Sequence, residues 1–129
     1  MKYEKRKGSY VSQKNVEILG DFIEKKFSGK VTPPSLVFAA KNKESPIHHL
    51  FEWDDSKAAK EYRLCQAREL IASIVIVDNG NEVPAYHNII VNNERVYLSH
   101  EETMNSPELW EQVIQKAMQE ADHWANRYK

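Results

Sequence analysis

One cysteine, Cys65, stands in the 129 residues. No disulfide can therefore close within the chain, which fits a reducing compartment. The longest apolar run, IASIVIV at 71–77, is far below the roughly 20 residues that span a bilayer, so no membrane association is expected. The basic start MKYEKRKGSY has no apolar segment behind it, so no secretory signal is expected either. Internal repeats, low-complexity tracts and linker-like stretches are missing, as is any recognisable catalytic or cofactor motif. These absences point to a cytoplasmic protein.

What is present is a chain of ordinary domain length, read as a single domain over 1–129 with residues 1–11 as a basic arm. A chain this long buries roughly two thirds of its unfolded surface and needs no metal or disulfide staple. Its net charge of −1 conceals a gradient. Residues 1–45 carry ten Lys/Arg against five acids, residues 46–77 four against five, and residues 78–129 four against nine. Such polarity offers a basic face to an anionic partner, or two halves that attract each other.

Periodicity supplies the elements. Val16, Leu19, Phe22, Ile23 and Phe27 recur at helical spacing, with Ser12 as cap and Gly29 as stop. Gly20, inside that helix, marks a close approach or a bend. Thr32-Pro33-Pro34 opens a short helix over 35–42, and Ser45-Pro46 a further turn. The centre of the chain is Pro46 to Ile76. There Asp54 reads as the cap of a helix from Asp55 to about Ile71, apolar on two sides and so buried between layers, with Cys65 as a small core residue. Strands follow at 71–77, 83–91 and 95–99, joined by Asn79-Gly80 and Asn92-Asn93 turns into an antiparallel meander. Ser106-Pro107-Glu108 starts the cleanest amphipathic helix, with Leu109, Trp110, Val113, Ile114, Ala117, Ala121, Trp124 and Tyr128 on one side. That helix, or the one from Asp55, should cover the sheet. The fold class is α+β: a helical, helix-turn-helix-like N-terminal half, a three-stranded antiparallel sheet and a long C-terminal helix.

His48, His49, Glu52, Asp54 and Asp55 form the densest ionisable cluster. Adjacent histidines diverge by about 100° in a helix, so a metal set there would need His87, His100 or His123 to complete it. Capping accounts for the acids without a metal. Arg63 lies near the apolar face of its helix and wants either an internal acid such as Glu52 or Asp55, or a phosphate. Lys5, Arg6 and Lys7, with Tyr3 and Tyr10 nearby, suit a phosphate backbone, and Lys25, Lys26 and Lys30 extend that region.

The stretch Leu36 to Ile74 resembles a family of uncharacterised proteins encoded by phages and prophages. The likeness rests on Ser45-Pro46-Ile47-His48, Phe51-Glu52-Trp53-Asp54-Asp55, Tyr62-Arg63 and Gln66-Ala67-Arg68. It extends more loosely over residues 16–128, with isoleucine at 47 where the family pattern has leucine. It implies a phage setting inside an infected host cell, and no enzyme chemistry. The reading these features favour is a non-enzymatic phage protein that binds nucleic acid through Lys5, Arg6, Lys7, Lys25, Lys26, Lys30 and Arg63, in regulation or DNA metabolism. Its alternative is a protein-binding module, an adaptor or inhibitor of a host protein, that uses the acidic C-terminal half. A third is a metal-dependent enzyme at His48, Glu52 and Asp54. No catalytic residue, metal or cofactor is assigned, and the long last helix can also pack on a copy of itself.

Overall fold

A computed structural model describes residues 3–55 and 59–127. The first helix, α1 (Gln13–Phe27), starts where Ser12 accepts the Asn15 N–H at 3.2 Å, and ends where Ser28 turns left-handed before Gly29. Before it lies strand β1 (Glu4–Lys5) and after it β2 (Lys30–Val31). A reciprocal Thr32–Ser35 capping box opens α2 (Pro33–Ala40), two residues ahead of the expected start. A 3₁₀ turn, His48–Leu50, leads toward α3 (Lys60–Ala72).

Helix α3 differs from expectation in two ways. Its N-cap position is Ala59, which has no side-chain acceptor, so Asp54 is not its cap; residues 56–58 lie outside the described residues. It also buries one side only, through Ala67, Leu70 and Ile71, while Tyr62 and Cys65 are exposed. The helix lies on α2 and leads into the strand behind it, leaving its other face to solvent.

The strands the sequence marks are present, but they form two antiparallel sheets. Strands β3 (Ile74–Asp78) and β4 (Asn81–Pro84) form one hairpin, and β5 (Tyr86–Val91) and β6 (Glu94–Ser99) another. Asn79 and Gly80, like Asn92 and Asn93, take positive φ at both turn centres, the type I′ geometry of two-residue hairpins. The expected strand 83–91 divides at Ala85, whose N–H bonds Ile74 and whose carbonyl accepts from His100. One extended run thus serves sheets β1-β3-β4 and β2-β6-β5. A short helix, α4 (His100–Met104), precedes α5 (Pro107–Arg127). The α+β architecture with a long C-terminal helix is as the sequence indicates. The helix-turn-helix likeness goes no further than helix order, because residues 41–59 separate α2 from α3, where that motif has a turn of about three or four residues.

Two apolar clusters hold the body. The larger joins α1, α2, α3 and the first sheet through Val16, Leu19, Ile23, Leu36, Leu70, Ile71 and Ile74. The smaller, Ile89, Val96 and Leu98, lies under the first turns of α5. Residues 3–6, expected in a free arm, are built in: Tyr3 is buried, β1 pairs with β3, and the Arg6 N–H bonds the Ser73 carbonyl. Among the described residues no helix is long and apolar enough to cross a membrane.

Candidate functional site

The acid–histidine cluster of the central stretch does not converge. His48 bonds the Ala40 carbonyl through Nδ1 at 2.8 Å and stacks on Trp53, ring centroids 4.9 Å apart. His49 turns away to Asn15 Oδ1. Glu52 accepts the Asp54 N–H, and Asp55 pairs with Arg63 at 2.7 Å. Among the described residues no three His, Cys, Asp or Glu side chains are arranged to hold a metal ion. His48, Glu52 and Asp54 therefore form no ligand set.

Of the seven residues expected to contact nucleic acid, Arg63 faces inward. Its guanidinium bonds Asp55 and the Glu52 carbonyl, lies 5.4 Å from the Trp53 ring centre, and is only 14% exposed. This is the internal pairing that a semi-buried arginine calls for. Lys5, Arg6, Lys7, Lys25, Lys26 and Lys30 are exposed. They do not share one end of α1. The Lys5 N–H bonds Gln13 at its first residue, whereas Lys25 and Lys26 occupy its last turn, about 18 Å along the axis.

A side-chain relay that sequence spacing does not reveal joins the two sheets. His100 Nε2 lies 3.3 Å from Asp78 Oδ2, and His100 Nδ1 lies 2.9 Å from His87 Nε2. Asp78 accepts the Nε2–H of His100, and the tautomers decide which of His100 Nδ1 and His87 Nε2 donates to the other. Burial first, then His100 and Lys116, lower the His87 pKa to about 4. Trp110 of α5 packs nearly perpendicular to both imidazoles, with centroids 5.9 and 5.7 Å away. Among the described residues no hydroxyl or thiol is hydrogen-bonded to either ring. The relay is a clasp that fixes β3, β5, α4 and the root of α5. Only the presence of His87 and His100 was legible beforehand; their pairing depends on the bend at Ala85.

The root of α5 has two more anchors. The Gln112 side-chain amide accepts the Ile90 N–H and donates to the Ile90 carbonyl, both at 2.9 Å, in the manner of a neighbouring strand. Leu109 and Val113 pack on Ile89, Val96 and Leu98. Among the described residues, Val113 is the last of α5 to pack on this cluster. No residue of α5 is buried, and only its first turns cover the second sheet, where the sequence suggested that a helix would pack across it. Ile114, Met118 and Trp124 are 39%, 56% and 64% exposed, and Ala117 and Ala121 between them are exposed too. An open groove of about 570 Å³ separates this distal part from β4, with Val83, Pro84, Lys116 and Glu120 among its walls. The apolar stripe is thus presented at the surface by a helix whose base is fixed. No family model, curated protein or solved structure matches the chain.

Proposed function

We propose that this chain is a non-enzymatic interaction protein that engages another protein through the distal part of α5. The observation that carries this is the amphipathic stripe of α5, exposed from Ile114 to Trp124 on a helix rooted by Trp110, Gln112 and Val113. Scattered exposed apolar side chains are ordinary, whereas a contiguous stripe marks a contact surface. A rigid root reduces the ordering cost of binding. The setting we propose is the infected host cell, on the likeness of the central stretch to phage-encoded proteins, with an adaptor or inhibitor role.

The test immobilises the full chain and an Ile114→Gln/Met118→Gln chain, and exposes both to host lysate at low and high salt. Proteins retained by the first chain at both salts and lost from the second are the expected result. Identical retention by the two chains overturns the reading.

A second reading, nucleic-acid contact, has one observation in its favour. Lys5, Arg6, Lys7, Lys25, Lys26 and Lys30 are exposed and form no ion pair among the described residues. Binding of mixed-sequence DNA should then weaken steeply with salt and be lost in a Lys5→Ala/Arg6→Ala/Lys7→Ala chain. Absence of binding at low salt overturns it.

A further inference from the structure

We infer that the occupant of the α5 stripe is an amphipathic helix of another protein with Lys or Arg along one border, and not a second copy of this chain. This rests on the reading of α5 as the contact element. At about 100° per residue, Ile114, Ala117, Met118, Ala121 and Trp124 fall into one stripe, spaced three and four apart as helix pairs require. The two alanines, one turn apart in its middle, admit a second backbone to the short separation of packed helices.

The borders of the stripe differ in charge. One carries Glu108, Glu111 and Asp122, all exposed, with the neutral Gln115 and Asn126 and no Lys or Arg between positions 108 and 126. Glu111 accepts from Gln115, and none of the three acids forms an ion pair among the described residues. The other border holds Val113, Glu120 and Arg127, while Lys116 and His123 lie farther round. An antiparallel two-fold pair of α5 helices would set each border against itself, bringing Glu111 of one copy toward Asp122 of the other. Like charges so placed oppose self-pairing, and the same border attracts a cationic one.

The test titrates the full chain into two labelled helical peptides by fluorescence anisotropy. The peptides share one Leu/Ala stripe and differ only in a border of Lys or of Glu. At low salt the Lys peptide should bind about fivefold more tightly, as two or three exposed pairs allow. A Glu111→Lys/Asp122→Lys chain should reverse that order, and the Ile114→Gln/Met118→Gln chain should weaken both peptides. Equal binding of the peptides, still lost in the Gln chain, overturns the charge assignment and leaves α5 as the contact element. Failure of both peptides, or binding indifferent to the Gln substitutions, overturns both. Sedimentation of the chain as a dimer that the Gln substitutions dissolve gives the stripe to a second copy, and also overturns the inference.

Discussion

Gly20 shows how one position ties the N-terminus to the body. A Cβ built there would lie 2.5 Å from the Tyr3 ring, which itself stacks on Tyr86. Alanine normally stabilises a helix interior by about 1 kcal/mol over glycine. Here the ring is buried and stacked on Tyr86, so Gly20→Ala should instead destabilise by about 1–3 kcal/mol in urea unfolding. In a Tyr3→Ala background the same substitution should become neutral or stabilising, since the clash is gone. The sequence signals the close approach at Gly20 without naming its partner, because Tyr3 is 17 residues away and reaches it only through β1 pairing.

His87 gives the second expectation at this scale. Its folded pKa of about 4 lies below the value near 6.5 of an unfolded histidine. Between those values the unfolded chain holds the extra proton. Stability is therefore full above about pH 6.5, declines as pH falls toward 4, and then levels off. The loss should be about 1–2 kcal/mol, discounted because the ring is partly exposed. Urea unfolding at pH 7 and pH 5 reads it, and His87→Gln should flatten this part of the slope.

Among the elements, legibility followed locality. Ser12, Thr32 and Ser106 mark helix starts because a cap bonds within three residues, and the two Asn-containing turns carry their own φ preference. The start of α3 misleads because Asp54-Asp55 has the composition of a cap, while Asp55 is drawn to Arg63 eight residues on. Helix α4 is too short for periodicity to register, and nothing in Pro84-Ala85-Tyr86 announces a change of sheet. The root of α5 is equally non-local. Replacing Gln112 by Ala removes both bonds to the Ile90 edge and should weaken this corner by about 1 kcal/mol. Amide hydrogen exchange is expected to rise at Ile90 and in the first turns of α5 while α1 and α2 keep their protection. A uniform change over the whole chain would show that the edge bond is not local.

At the scale of the molecule, the charge gradient along the sequence becomes a division of labour. The basic first third builds most of the helical core and leaves its lysines dispersed, while the acidic last third ends in a presented helix. The candidate contact surface was legible as an amphipathic period. Its exposure was not, since the same pattern describes a helix that covers a sheet. Because Ile114 and Met118 are exposed, Ile114→Gln/Met118→Gln should change folding stability by no more than about 0.5 kcal/mol in urea unfolding. A loss of several kcal/mol would mean that these side chains belong to the core.

The most direct measurement is site-specific photo-crosslinking in host cells, with the photoreactive residue at Met118 in one chain and at Lys7 or Lys26 in others. Adducts to protein from position 118, with none from the lysine positions, are the expected result. Nuclease-sensitive adducts from positions 7 and 26, with none from 118, would contradict it and give the contact to the basic N-terminal surface.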